Sequence, residues 1–315
     1  MENSATLVKP KLTPGEQKII EMVIDALPSE NSRIAYKRHL EEFFVWYSKA
    51  GRPELNKALI NSYVKFLRES KDTRDNSFSS ANINQKLSAL RKLASEAEDN
   101  NLLEAKIANG IRAVSGMPQR GRRTGNWLTR EEANLWVNAP DVITLKGLRD
   151  RAILAVLIGC GLRREECTFL SVSHIQMREN RWVIVDIVGK RNKMRTVPMP
   201  TWTKTIIDSW IYAAHIEDGC IFRQVNKGDN IMGDSLTPKA IYNVVKIYAE
   251  KLEKSGIAPH DLRRTFAKLA HKGGAPIDQI QLSLGHDSIN TTEKYLGVEQ
   301  DLSHAPCDHL GIKIQ

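Results

Sequence analysis

Residues 256–298 read GIAPHDLRRTFAKLAHKGGAPIDQIQLSLGHDSINTTEKYLGV, and this stretch predicts a small helical unit with reactive side chains at its turns. Three helices are expected: one capped by Asp261 and ended by 273–274, one after Pro276 that stops at Gly285, and one capped near Ser288. The side chains that do not fit the apolar stripes of these helices are the ones that can do chemistry. They are His260, Arg263, His286 and Tyr295.

These side chains suit an attack on a phosphodiester. An arginine is always charged, and its fork matches two phosphate oxygens, so it can stabilise the negative charge of a transition state. Tyr295 is the candidate nucleophile. Because a phenol with a reference pKa of about 10 is protonated at neutral pH, it needs a base or a positive field, and His260 is the nearest candidate base.

The motifs resemble those of a known family. HDLRRT at 260–265, LGH at 284–286 and a tyrosine nine residues later are similar to the C-terminal signature of the tyrosine recombinase (phage integrase) family. That family also uses an arginine in Gly-Leu-Arg-x-x-Glu, which stands here at 161–166, and a hairpin lysine, which matches Lys193 in GKRNKMRTVPMP at 189–200. Each motif alone is weak, but their agreement in the right order is a strong signal.

The resemblance implies a site-specific DNA recombinase or integrase that needs no metal and no cofactor. Tyr295 would attack the scissile phosphate to give a 3′-phosphotyrosyl link and a free 5′ hydroxyl, which can later rejoin the strands. The other implied roles are oxyanion binding by arginines and His286, protonation of the leaving oxygen by the lysine, and positioning or deprotonation by His260. The implied catalytic residues are Arg163, Lys193, His260, Arg263, His286 and Tyr295.

Two of these assignments have a competing explanation. Arg163 follows the predicted helix 145–159, and Glu166 could brace its guanidinium by a bidentate pair. Without the resemblance, a purely structural Arg163–Glu166 pair would be the simpler explanation. Lys193 is predicted near the tip of a hairpin formed by 182–188 and 194–199, where Lys190 is the rival candidate for the acid.

The N-terminal part predicts a small helical domain. Four amphipathic helices are expected, near 13–27, 32–51, 55–70 and 79–97, and the resemblance implies that residues 1–117 form a SAM-like core-binding domain for DNA. The last helix would place Lys86, Arg91 and Lys92 in the major groove, although a solvated basic face is the alternative. Residues 118–128 form a basic linker, in which Arg120, Arg122 and Arg123 would either follow phosphates or only keep a tether soluble.

Residues 129–315 are predicted to form the catalytic domain with a C-terminal tail, opened by a capping box at Thr129 and Glu132. The fold class is therefore mainly α with a small β-hairpin or sheet in the second domain, an α+β protein. In the tail, His304, Cys307 and His309 lack the spacing and the fourth ligand of a zinc site, so no metal is expected. The resemblance implies that a tail carrying Leu302, Leu310 and Ile312 packs into a neighbouring protomer.

Composition agrees with a DNA-binding enzyme. The 315 residues carry a formal charge of +9 with a pI near 9.3, which favours a polyanionic partner. The apolar run 152–158 is too short to cross a membrane, and residue 1 is followed by a polar segment, so a cytoplasmic protein is expected. The four cysteines show no paired spacing and are expected to be reduced.

The expected partner is a double-stranded recombination site, bound by a homotetramer on two such sites, while the free protein could be a monomer. Two other functions remain open at this point: a type IB topoisomerase, which would use almost the same residues, and a DNA-binding regulator without strand exchange.

Overall fold

The computed structural model of the chain describes residues 12–71, 75–118, 126–189 and 193–297. The chain divides into two compact units, 1–122 and 123–315. Three sets of predictions lie outside the described residues: the DNA contacts at Arg120, Arg122 and Arg123, the rival hairpin lysine Lys190, and the C-terminal tail from residue 298 onward.

The first unit is a bundle of helices around α4. A capping box between Thr13 and Glu16 begins α1, and the side chains of Asn56 and Ser79 cap α3 and α4. Helix α4 packs against each of the other four, so it is buried on most of its circumference. The helices are α1 (Pro14–Asp25), α2 (Glu30–Lys49), α3 (Lys57–Glu69), α4 (Ser80–Asp99) and α5 (Ala105–Arg112).

Four of these helices agree with the sequence prediction, and α5 was missed. Helix α5 has only eight residues and contains Gly110, so its own helix propensity is low. Its buried residues Ala108 and Ile111 join the core of the unit. Tertiary packing against α4 and α3 therefore stabilises a helix that the local sequence signals only weakly.

The predicted DNA contact at Lys86 needs correction. Lys86 lies three residues after Ile83 and four before Leu90, so it shares their packed face of α4, and its side chain is only 3% exposed. Its ammonium pairs with the Glu42 carboxylate and lies 5.2 Å from the centroid of the Phe78 ring. Lys86 is thus a buried structural cation and does not present its charge to a phosphate.

The neighbouring basic residues of α4 are partly exposed. Arg91 donates from Nη2 to the Val114 carbonyl at 2.5 Å, and Lys92 pairs with Glu96 at 2.5 Å. Because both side chains retain accessible surface, their contact with DNA stays a prediction.

His39 should make the stability of the first unit depend on pH. It is 2% exposed, and neither ring nitrogen has a hydrogen-bond partner among the described residues. Burial, with the charges of Lys86 and Arg38, lowers the pKa of His39 to about 4, while the Glu42 carboxylate lies 3.9 Å away. As the pH falls, His39 is protonated near pH 6.5 in the unfolded state but only near pH 4 in the folded state. The free energy of unfolding is therefore highest above pH 6.5 and decreases as the pH falls toward 4.

We therefore expect His39→Leu to flatten this pH dependence. Wild type should lose roughly 2 kcal/mol more than the variant between pH 7 and pH 4.5. Calorimetric unfolding of the full chain at a series of pH values measures the difference. An unchanged slope in the variant would show that His39 is not the group that titrates.

The described residues of the second unit form seven helices of eight or more residues, a three-stranded antiparallel sheet and a short two-stranded sheet. The three-stranded sheet has the strand order β1-β2-β3, and the β2-β3 register shifts between Ile184 and Ile187. The elements are α6 (Arg130–Asn138), α7 (Leu145–Gly159), α8 (Arg164–Thr168), a 3₁₀ turn (Val172–His174), β1 (Ile175–Arg178), β2 (Arg181–Val188), β3 (Met194–Pro198), α9 (Thr201–Ala213), β4 (Gln224–Val225), β5 (Ile231–Met232), α10 (Pro238–Lys251), α11 (Pro259–Lys272), α12 (Ile277–Leu284) and α13 (Ile289–Leu296).

Helix α7 is the centre of this unit. Its residues from Ala152 to Gly159 are all buried, and it packs against α6, α9 and α11. Because residues 152–159 are apolar on all sides of the helix, they must be covered on all sides. Packing around this half of α7 holds the turn at its C-terminal end in place. The fold class predicted from the sequence, mainly α with a small sheet in the second domain, is confirmed.

The described ranges contain neither a membrane-spanning helix nor a cluster of metal-ligating side chains. No helix within them is long and apolar enough to cross a membrane, and no group of three or more potential metal-ligating side chains occurs there. Cys160, Cys167 and Cys220 are free thiols.

Candidate active site

The N-terminus of α11 presents two of the predicted residues. The helix begins at Pro259, with Ala258 as its N-cap, and Asp261 accepts the Ala258 N–H at 3.1 Å. Asp261 is therefore the third helical residue rather than the cap that the sequence suggested. His260 and Arg263, three positions apart, lie on the same side of the first turn.

Arg263 is buried, with 1% of its surface exposed. Its Nη1 donates to the Gly161 carbonyl at 2.8 Å, and its Nη2 donates to the Leu284 carbonyl. Burial, followed by the charge of Arg163, lowers the pKa of Arg263 to about 10, so the guanidinium is still charged at neutral pH. This side chain ties the turn after α7 to the end of α12.

Arg163 occupies the N-cap of α8. Its backbone N–H and its Nη1 each donate at 2.7 Å to a different oxygen of Glu166. The side chain is 25% exposed, and Nη2 has a long contact of 3.4 Å with the Gly285 carbonyl. Arg163 thus keeps one face open to solvent.

Glu166 accepts from a second arginine that the sequence analysis missed. Arg195 on β3 donates from Nη1 and Nη2 to the two Glu166 oxygens at 2.9 and 2.8 Å, and from Nε to the Ser283 carbonyl at 2.9 Å. The predicted bidentate guanidinium pair therefore exists, but its arginine is Arg195 and not Arg163. With Arg263 at 3.8 Å, three guanidinium groups surround one carboxylate.

The charge state of Glu166 follows from these partners. Burial alone would raise the pKa of this carboxyl, but the hydrogen bonds and charge of Arg195, together with Arg163, outweigh it and lower the pKa. Glu166 is consequently ionised at neutral pH. A single carboxylate cannot neutralise three guanidinium groups, so this cluster carries excess positive charge that suits a phosphate.

The phenol of Tyr295 lies between the two predicted histidines. Its ring centroid is 5.3 Å from those of His260 and His286, edge to face with both, and the Arg264 guanidinium lies 4.9 Å from it. The hydroxyl donates to the His260 carbonyl at 3.1 Å. Tyr295 therefore reaches this cluster from α13 of the same chain.

His286 is placed by the turn between α12 and α13. Gly285 adopts a left-handed conformation (φ 61°), which ends α12 and would strain any residue with a Cβ. His286 Nδ1 lies 2.9 Å from Oγ1 of Thr292, a fully buried residue of α13. When Thr292 donates this hydrogen bond, Nε2 carries the ring proton and can donate it to an anion.

The titration behaviour of the three rings is set by burial and by the arginines. Burial raises the pKa of Tyr295 to about 12 despite the opposing charges of Arg263 and Arg264. Burial also lowers the pKa of His286 to about 4, helped by Arg263 and Arg163. The pKa of His260 is lowered by partial burial and then by Arg264 and Arg263. Both imidazoles are thus neutral at pH 7, and the phenol is protonated.

Lys193 lies at the edge of this constellation. Its side chain is 66% exposed, and Nζ donates to Asp287 Oδ1 at 2.5 Å. The structure brings together Arg163, Glu166, His260, Arg263, His286 and Tyr295 through direct contacts with one another or with shared backbone. Lys193 is linked to this group through Asp287, the residue that follows His286.

Gly161 offers a test of how closely the turn after α7 is packed. Its φ is +61°, and an added Cβ would lie 2.5 Å from Cδ1 of Phe266. Gly233 has a similar φ of +64° with nothing within 4 Å, so it is a matched control for the backbone strain alone.

We expect Gly233→Ala to cost about 1–2 kcal/mol of stability and Gly161→Ala to cost about 1–3 kcal/mol more because of the clash. Denaturant unfolding of the two variants measures the difference. Equal losses would show that the Phe266 contact adds nothing to the strain.

Family models match both units of the chain. Residues 126–301 match the model of the phage integrase family, and residues 22–101 match that of the phage integrase N-terminal SAM-like domain. The chain is similar to tyrosine recombinase XerD of Corynebacterium glutamicum, with 30% identity over 288 residues that cover 87% of this chain and 89% of the relative. It is also similar to tyrosine recombinase XerC of Natranaerobius thermophilus, with 29% identity over 232 residues, 72% of this chain and 75% of the relative.

A solved structure shows the same fold. The crystal structure of the XerH site-specific recombinase bound to a palindromic difH substrate, in a post-cleavage complex, superposes with a TM-score of 0.66. The match covers 91% of this chain and 81% of that one, at 18% identity.

Proposed function

The chain belongs to the phage integrase family of tyrosine recombinases, and we propose that it cuts and rejoins DNA at a specific site with Tyr295 as the nucleophile. The observation that carries this proposal is the position of one phenol between two neutral imidazoles and beside arginines that share a single carboxylate. This is a site for an anion with a nucleophile next to it.

The cleavage step is a transesterification. The Tyr295 oxygen forms a bond to the scissile phosphorus, the bond from phosphorus to the 5′ oxygen breaks, and the phenolic proton passes to His260. The 3′ end of the strand remains on the enzyme as a phosphotyrosine, so the energy of the broken bond is conserved. A 5′ hydroxyl from a second duplex reverses the step and rejoins the strands without ATP.

Arg163, Arg263 and His286 would hold the non-bridging oxygens. Arg163 has the open face that a phosphate needs, whereas Arg263 is held by two carbonyls and supplies charge at a fixed place. His286 contributes a hydrogen bond rather than a charge, because its pKa of about 4 keeps it neutral in the free enzyme. A bound phosphate would raise that pKa.

Lys193 is our candidate for the acid that protonates the leaving 5′ oxygen. A lysine carries a proton that it can transfer, which an arginine cannot. Its ion pair with Asp287 is exposed at both ends (66% and 49%), and such pairs contribute at most about 1 kcal/mol. DNA can therefore displace Asp287 and recruit the lysine.

The proposed partner is a double-stranded recombination site in the cytoplasm, contacted by both units. Strand exchange between two duplexes needs four subunits, so we propose that the protein forms a tetramer on two DNA sites and is a monomer when free of DNA. Relatives of the chain carry the names XerC and XerD, which favours recombination over simple relaxation of supercoils.

Assembly would use the C-terminal tail. The second unit has an apolar groove of about 530 Å³ lined by Ala133, Val137, Ile158, Trp202, Phe266 and Leu269, which suits a segment carrying the apolar residues Leu302, Leu310 and Ile312. We propose that the tail of a neighbouring subunit packs there. Truncation after Gln300 should abolish the two-site complex while single-site binding persists, and unchanged assembly would refute the exchange.

A nicked suicide substrate tests the proposed function. Cleavage near the nick releases a short fragment that carries the new 5′ hydroxyl. Because this fragment diffuses away, rejoining is blocked and the covalent adduct accumulates. We expect a denaturation-resistant protein–DNA adduct attached at a 3′ phosphate, and sequencing of the trapped DNA identifies the site. A complex that shifts in a gel but never forms an adduct would indicate a DNA-binding regulator.

A further inference from the structure

Arg195 connects three parts of the site that come from distant positions in the sequence. It belongs to β3, its two terminal nitrogens bind the Glu166 carboxylate on α8, and its Nε binds the Ser283 carbonyl near the end of α12. All three donor groups are used within 2.9 Å, and only 9% of the side chain is exposed. It is therefore a linking residue, in which each of the three guanidinium nitrogens already donates to another part of the protein.

The stem of Arg195 also supports the turn that presents His286. A Cβ added to Gly285 would lie 2.9 Å from Cδ of Arg195 and 3.2 Å from its Nε. The backbone of this turn thus rests directly on the arginine side chain. Because close-packed groups transmit small displacements, moving Arg195 would move the start of the His286 loop.

The hairpin lysine is coupled to the same anchor. Lys193 directly precedes β3, two residues before Arg195, and Arg195 shares one side of the strand with the fully buried Val197 because side chains alternate along a strand. Lys193 is held at its other end by a hydrogen bond of 2.8 Å from the Gly189 N–H to its carbonyl. With Arg195 fixed on Glu166, the position of the hairpin is set relative to Arg163.

We propose that Arg195 is a positioning residue for strand cleavage: it fixes the Lys193 hairpin and the Glu166 carboxylate that orients Arg163 in one geometry. The proposal rests on the proposed function, since Lys193 and Arg163 matter only if the chain cleaves DNA. Arg195 itself touches neither the reacting phosphorus nor the leaving oxygen.

Two consequences separate this role from a general contribution to folding. First, cleavage should lose the help of the acid, because Lys193 is displaced. Second, Glu166 should be ionised less readily, since Arg195 provides the strongest of the interactions that lower its pKa. The ion pair that orients Arg163 requires an ionised Glu166, so the acid limb of the cleavage rate should move to higher pH when Arg195 is lost.

The experiment compares Arg195→Gln and Arg195→Lys with wild type in single-turnover cleavage of the nicked substrate. A second substrate carries sulfur in place of the 5′ bridging oxygen. Its cleavage forms the same Tyr295–phosphorus bond and breaks the phosphorus–sulfur bond, and the thiolate leaves with the electron pair and without a proton. Since a thiol ionises near about pH 8.5, this leaving group needs no acid.

On the oxygen substrate we expect Arg195→Gln to cleave about 10²-fold more slowly than wild type. On the sulfur substrate the deficit should shrink to a few-fold, and DNA affinity in a mobility shift should be unchanged. The acid limb should move to higher pH in Arg195→Gln and less in Arg195→Lys, which keeps the charge. Arg178→Gln is the matched control, since Arg178 is the exposed last residue of β1 in the same sheet, paired with Arg181 at the end of β2 away from the Lys193 hairpin, and its guanidinium contacts Gln176.

Equal deficits on the two substrates would overturn the link to Lys193, and so would variants that cleave at the wild-type rate. An unmoved acid limb would overturn the link through Glu166. These failures differ from a failure of the proposed function, in which wild type itself forms no adduct. Unfolding of Arg195→Gln would be revealed by lost affinity and circular dichroism, and in that event Arg195→Lys, with the same two substrates, decides the question.

Discussion

Tyr295→Phe should form no covalent adduct with DNA while it binds the same site as wild type. The phenolic oxygen is the only atom that the substitution removes, and no other side chain of the proposed site can form the 3′ ester in its place. Loss of a nucleophile typically lowers turnover by at least about 10⁴-fold. The fold should tolerate the change, because the lost hydrogen bond to the His260 carbonyl contributes about 1 kcal/mol.

The measurement is adduct formation on the nicked substrate, scored beside a mobility shift at the same protein concentration. Tyr212→Phe is the control, since Tyr212 lies in the same unit and is 83% exposed. We expect adduct at the wild-type level from the control. An adduct from Tyr295→Phe would require another nucleophile and would end the assignment.

The phenol must also leave its present hydrogen bond before it reacts. In the free enzyme the hydroxyl donates a hydrogen bond to the His260 carbonyl, and the pKa of Tyr295 is raised to about 12. A backbone carbonyl is too weak a base to remove the phenolic proton. DNA binding has to bring the hydroxyl to the phosphorus and to the His260 ring.

Much of the fold could be predicted from local patterns. The sequence located α7 with its observed bounds, the β2-β3 hairpin and the left-handed stop at Gly285, because each depends on residues close together in the chain. Helix α5 and strand β1 were missed. Their stability comes from packing and strand pairing across the fold, which no short window records.

The site shows the same division. Residues with a motif, such as His260 and Arg263, could be named from their spacing, and the resemblance supplied roles for them. Arg195 carried only a weak signal, a second basic residue in register with Lys193 on a strand. Its partner Glu166 lies 29 residues away, and the sequence therefore assigned the bidentate pair to the nearer Arg163.

The burial of Lys86 depends on a residue of another helix. Lys86 has the sequence context of a basic helix face, yet it fills a position among apolar neighbours because Glu42 of α2 supplies a countercharge. That compensation depends on how α2 and α4 pack. A charge pattern on one helix cannot reveal it.

The two arginines of the anion site should respond differently to the same substitution. Arg163→Lys should slow cleavage by about 10²–10³-fold, the usual cost of removing a donor aimed at the developing charge, and should change stability by less than about 1 kcal/mol. Glu166 would keep its bidentate bonds to Arg195, so its charge remains paired. The slower cleavage would come from the loss of one of the two guanidinium nitrogens with which Arg163 can donate to the phosphate.

Arg263→Lys should impair both cleavage and folding. A lysine cannot reach the Gly161 and Leu284 carbonyls together, and each buried group left without a partner costs about 1–3 kcal/mol. The two carbonyls belong to the turns that precede Arg163 and His286, so both turns should loosen. Denaturant unfolding and single-turnover cleavage of the two variants separate the effects, and an equally stable Arg263→Lys would mean that this guanidinium serves the phosphate alone.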